Sequence, residues 1–178
     1  MRFYHLIKEP STRKNAKIFL INRKFMNLLN NPEIRWKNYN EGYKFGYPIS
    51  YSDSILSASE DGRLEILVKW EPNCFCHFHK HTAETSSVVL QGELHVTDIC
   101  SKTGKELSKR VRKVGDFAHK EPGDLHMEQG GPEGAIVLFS IYAPEGEGEL
   151  AQALDNNREV ISSSSMKKIL TKRIPKES

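Results

Sequence analysis

The chain has 178 residues, 38% of them hydrophobic and 28% charged, which suits one packed soluble domain and excludes a disordered or collagen-like chain. The formal net charge is only +3, and the ten Lys and Arg of residues 1–50 are scattered among apolar residues, so no dense basic block marks a nucleic-acid interface. No run approaches the roughly 18 apolar residues that a membrane span requires.

Lys8, Glu9 and Pro10 interrupt the apolar core that a secretory signal would need. The three cysteines, Cys74, Cys76 and Cys100, cannot all pair, so reduced thiols and a cytoplasmic location are expected.

Residues 16–21 and 25–29 are apolar and read as a partly helical stretch, closed by Asn30-Asn31-Pro32. Residues 38–59, rich in Tyr, Gly, Ser and Asn, read as loop with short strands. Residues 1–60 are therefore expected to form an extension that packs on the body of the protein or on a partner. From Arg63 the pattern turns to strand: Leu64, Ile66, Val68 and Trp70 alternate with Glu65, Leu67 and Lys69. Further strand patterns surround Val88-Val89-Leu90 and Leu94-His95-Val96, with a polar hairpin tip at residues 101–105. Residues 135–142 read as a buried closing strand.

Short strands at this spacing imply an all-β sandwich or barrel over residues 61–145. Residues 146–178 read as a partly flexible segment, with a short helix over 150–156, a serine tract and a basic tail.

Chemistry concentrates in the histidines. Six of the seven lie between positions 77 and 126, and three alternate in His77-Phe78-His79-Lys80-His81. On a strand, alternate residues share a face, so this run would present a row of imidazoles, the commonest protein metal ligand. Phe75 would share that face. His126 follows the turn Glu121-Pro122-Gly123 and would complete a site brought together by the fold.

The spacing is what carries a family resemblance. His79-x-His81 is followed by Thr85 and then Gly92; Gly115 is followed by Gly123 and His126. This resembles the two cupin motifs, His-x-His-(x)3-4-Glu-(x)6-Gly and Gly-(x)5-Pro-x-Gly-(x)2-His, over roughly residues 62–142. The resemblance implies a cupin jelly roll, here with an N-terminal extension and short helical segments.

Two positions depart from the pattern: Thr85 stands where the ligand glutamate is usual, and Glu121 where proline is usual, with Pro122 one place late. Keeping His79, His81 and His126 as ligands resembles the three-histidine non-haem iron dioxygenases of the acetylacetone-cleaving and dihydroxyacetophenone types. A second register, His77-x-His79-(x)4-Glu84, restores a glutamate but needs a bulge before Gly92. Unbroken strand pairing favours the first.

Other polar residues are placed by phase. His77, one pleat from the metal, His119, in phase with Phe117, and Glu128, on the face of His126, are the candidate catalytic residues. Glu128 would reach the metal or carry a proton. His95 lies between the core-facing Leu94 and Val96 and is expected to point outward; His5 is isolated. Trp70, Phe75, Phe117 and Phe139 are candidate pocket walls. Alternation puts Cys74 and Cys76 opposite the histidines, as apolar packing residues.

The resemblance implies a divalent metal, Fe(II) foremost, with Zn, Ni or Mn as alternatives, and a dioxygenase that cleaves a C–C bond in a small diketone- or hydroxyketone-like substrate. A zinc-dependent lyase or hydrolase, or a non-catalytic metal-binding or ligand-sensing cupin, is the alternative. The expected partners are a small-molecule substrate and a second copy of the chain, because jelly-roll edges need covering and twofold dimers are common.

Overall fold

The computed structural model describes residues 19–20, 27–144 and 148–172. Among these, eleven strands and one short helix follow in order: β1 (Phe19–Leu20), β2 (Lys37–Gly42), β3 (Ile49–Ala58), β4 (Arg63–Trp70), β5 (His79–His81), β6 (Glu84–Ile99), β7 (Glu106–Lys113), β8 (Phe117–Lys120), β9 (Leu125–Tyr142), β10 (Glu149–Leu154), β11 (Val160–Ser165) and α1 (Met166–Lys172). Every ladder between named strands is antiparallel.

The sheet curls into a jelly roll because β6 and β9 each serve two faces. Residues 135–142 of β9 lie between β4 and the first half of β6. The start of β9 instead pairs with β5 on one side and with residues 94–98 of β6 on the other. The change of face falls at Gly92 and Gly134, with φ of 68° and 76°. A Cβ on Gly92 would sit 2.1 Å from the Gly134 carbonyl oxygen, so this close crossing needs glycine.

Strand alternation then divides the apolar residues between two places. Leu64, Trp70, Val89, Leu94, Val96, Val137 and Phe139 fill the interior. Leu67 and Ile136 point to the other face of the same strands, yet Leu67 is fully buried. Ile34, Trp36 and Leu28, from the segment before β2, cover them. At about 25 cal/mol per Å² of apolar surface removed from water, that cover stabilises both the segment and the sheet.

Several sequence expectations change here. Residues 49–58 are one ten-residue strand, not loop with short pieces, because residues 51–58 pair with β4 and residues 49–53 with β2. The expected helix over 150–156 is strand β10. Leu150 and Leu154, four apart, share one face in either conformation, and pairing with both β5 and β11 decides for strand. The basic tail begins with a helix, α1, whose Met166 and Ile169 enter the interior core. The stretch expected to be partly helical falls largely outside the described residues; Phe19 and Leu20 pair as a strand with β3. The sheet thus runs past both ends of 61–145. Among the described residues no helix is long and apolar enough to cross a membrane.

Candidate metal centre

Two neighbouring strands set up the site. In the β5–β9 ladder His79 stands opposite His126. The two-residue period then places His81 beside His79, and Glu128 beside His126, on the interior face. The donor atoms of His79, His81 and His126 come within 4.8 Å of one another. Two nitrogens bound to one ion at about 2.1 Å lie about 3.0–3.4 Å apart. His79 Nε2 and His81 Nε2 are separated by 3.2 Å, which is that spacing.

Each imidazole is held by its other nitrogen. His79 Nδ1 lies 2.8 Å from the His77 carbonyl oxygen, which can only accept, so Nδ1 carries the hydrogen and Nε2 keeps its lone pair. The Thr85 hydroxyl donates to the Ala83 carbonyl and accepts from His81 Nδ1 at 3.1 Å. His126 Nδ1 donates to Asp124 Oδ2 at 2.5 Å, and its buried Nε2 has no hydrogen-bond partner. Three Nε2 atoms are therefore left for a common ligand, the carboxylate-backed imidazole among them. Thr85→Val should keep the fold but release His81 from its fixed tautomer. A loss of metal affinity of about 10–100-fold is expected, read by chelator competition.

Electrostatics favour a cation at this point. Burial holds His79 down to about 4, with His126 adding to the effect, and it holds His81 well below its usual range. Both are neutral donors at pH 7. For His126 burial also acts downward, but hydrogen bonding to Asp124 and the nearby Glu128 outweigh it and raise the imidazole. Burial would raise the Glu128 carboxyl, yet His126 and the other two imidazoles bring it to about 2. A proton on His126 would face Glu128, and a metal ion would take over that role with release of the proton. The buried set of imidazoles with fixed tautomers fits a divalent metal.

A second acidic cluster backs the first. Asp98 and Asp124 lie with His126 at ligand spacing, but the Lys120 ammonium fills that place, paired with Asp124 and 3.5 Å from Asp98. The surface hollow of about 580 Å³ on this side is lined by Asp98, Arg110, His119, Lys120 and Asp124, the partner of His126 Nδ1, and not by the three imidazoles. The His79 side chain is 14% exposed against 1% for His126.

Not every candidate residue joins the centre. The His77 side chain turns away to Tyr51 Oη at 3.1 Å and Glu41 Oε1 at 3.0 Å, and only its carbonyl serves the site. Glu84 is exposed on the barrel exterior, so the second register is not assembled. His119 belongs to the outer face of β8: it is 42% exposed and bonds Ser86 Oγ, because Ala118 and Lys120 hold the inward positions. Phe117, on the same outer face, is 69% exposed and walls nothing. Trp70 and Phe139 pack the interior, where Phe139 stacks beside His81. His95 points away from the core, toward Glu93.

Cys76 corrects an expectation. Residues 71–78 are not a strand, since Asn73 has a positive φ of 58°, so alternation does not apply there. The Cys76 sulfur lies 3.6 Å from His79 Nδ1, buried against the centre, and burial pushes its thiol up. Asp124 and Thr85 were not legible as imidazole partners, although Asp124-x-His126 carries the strand spacing that brings the two side chains together.

No family model matches the sequence, and no curated protein does. Solved structures do. An acetylacetone dioxygenase from Acinetobacter johnsonii aligns with a TM-score of 0.57 at 12% identity, over 95% of this chain and 95% of its own. An RmlC-like cupin protein from Ralstonia eutropha JMP134 gives a TM-score of 0.57 at 15% identity, over 82% of this chain and 83% of its own. With a curled antiparallel jelly roll and motif histidines meeting on its interior face, the chain has the fold of the RmlC-like cupins.

Proposed function

We propose that the protein is a metal-dependent dioxygenase that uses Fe(II) and O2 to cleave a C–C bond in a small diketone- or hydroxyketone-like substrate. The observation that carries this reading is the convergence of three inward-facing Nε2 atoms on a buried face, each imidazole fixed by a partner of its own. When bound, a redox-active divalent ion would supply Lewis acidity toward an enolisable substrate and redox chemistry toward O2.

The chain's own residues do the rest. His79, His81 and His126 present their Nε2 atoms without reorientation, because the His77 carbonyl, Thr85 and Asp124 hold the rings in place. Phe139 and Trp70 keep the floor of the centre dry, which strengthens every charge interaction above it. Support for the substrate class comes from the Acinetobacter protein, named for acetylacetone, a β-diketone, whose fold matches nearly the whole chain.

The test is elemental analysis of protein purified without added metal, followed by oxygen uptake with a panel of β-diketones and α-hydroxyketones. Iron at about one equivalent per chain, with substrate-dependent oxygen uptake, is the expected result. Zinc at that stoichiometry with no uptake on any substrate would overturn the dioxygenase reading in favour of a lyase or hydrolase.

A further inference from the structure

We infer that Glu128 supplies a fourth protein donor to the metal, so that the carboxylate missing at Thr85 is delivered by β9 instead of β6. The inference rests on the reading of His79, His81 and His126 as metal ligands and deepens it. Glu128 follows His126 by two residues on one strand, so both side chains face the interior. Its Oε1 lies 3.5 Å from His126 Nε2, and its Oε2 lies 3.8 Å from His79 Nε2. Donors held about 2.1 Å from one ion, at angles from a right angle to about 130°, lie about 3.0–3.8 Å apart. The carboxylate therefore already stands at donor spacing from two imidazoles.

Burial makes the placement meaningful. Glu128 is 4% exposed, on an interior position where an apolar residue would be the default. A buried carboxylate is retained where a charge or a metal compensates it. Among the described residues its ion-pair contacts are with His79 and His126, the same two side chains that point their Nε2 atoms at it. His126 Nε2 is itself buried without a hydrogen-bond partner, so one ligand would satisfy both groups.

Thr85 cannot take this role. Its hydroxyl is engaged by the Ala83 carbonyl and by His81 Nδ1, the nitrogen that does not face the centre. The consequence for substrate is one of charge. With Glu128 bound, one further negative charge neutralises a divalent ion in this dry surrounding. Substrates that ligate as monoanions, such as an enolate, are then favoured over dianions.

Cobalt(II) is the probe for the test. It is added to chelator-treated parental protein and to Glu128→Gln and Glu128→Leu, with affinity read by chelator competition and coordination by the visible d–d spectrum. Both variants should lose more than the roughly 10–100-fold in affinity that outer hydrogen-bond partners cost, and their d–d bands should shift in position and intensity. Parental affinity and spectrum in the variants would overturn the inference. So would weaker binding with unchanged bands, which would make Glu128 an outer partner of His126 and His79. If the Gln variant fails to fold, Glu128→Leu, which replaces the buried carboxyl with an apolar side chain, decides by the same criteria. Should His126→Ala also retain cobalt, the failure belongs to the metal reading itself.

Discussion

His126→Ala is expected to abolish metal loading, from about one equivalent per chain to below about a tenth, a larger loss than the roughly 10–100-fold that outer partners cause. His126 is the fully buried member of the set, and its Nε2 has no other partner to satisfy. His77→Ala, in parallel, should leave loading intact, because both ring nitrogens of His77 are turned toward Tyr51 and Glu41. Elemental analysis of the two variants after identical purification reads the difference. Metal retained by the His126 variant and lost from the His77 variant would reverse the assignment.

Gly92→Ala is expected to have a large effect on folding. The residue sits at φ 68°, and an added Cβ would fall 2.1 Å from a backbone oxygen of Gly134 that no side-chain motion can relieve. Backbone strain of about 1–3 kcal/mol from the positive φ is then joined by a steric overlap at the point where β6 changes face. The expected loss is about 4 kcal/mol or more, a large share of the roughly 5–15 kcal/mol that holds a typical domain folded. Urea denaturation and the soluble yield measure it. A variant with parental stability would mean that the β6–β9 crossing is looser than the geometry requires.

The centre was legible where strand spacing alone decides position. His79 and His81 lie two apart on a strand, and His126 follows a glycine turn that opens the facing strand, so the three could be assembled from spacing. Legibility failed where phase or backbone shape decides. Phase puts His119 and Phe117 on one face, but which face of β8 turns inward is set by pairing with β6, and a one-residue shift moves every side chain to the other face. Cys76 was placed by an alternation that the Asn73 turn interrupts.

For the fold, the β-pattern from Arg63 onward was clear because its interior positions are apolar at period two. The C-terminal strand β10 was not, since two leucines four apart suit a helix or a strand until β5 and β11 flank them. The outer cover of Leu67 and Ile136 by Ile34 and Trp36 joins residues far apart in sequence, and no local pattern announces it.

The central claim is the position of the metal, and anomalous diffraction at the metal edge from iron- or cobalt-loaded crystals locates it directly. One peak per chain is expected, about 2.0–2.2 Å from the Nε2 atoms of His79, His81 and His126. A peak instead between Asp98 and Asp124, or beside His77 and Glu41, with none among the three imidazoles, would contradict it.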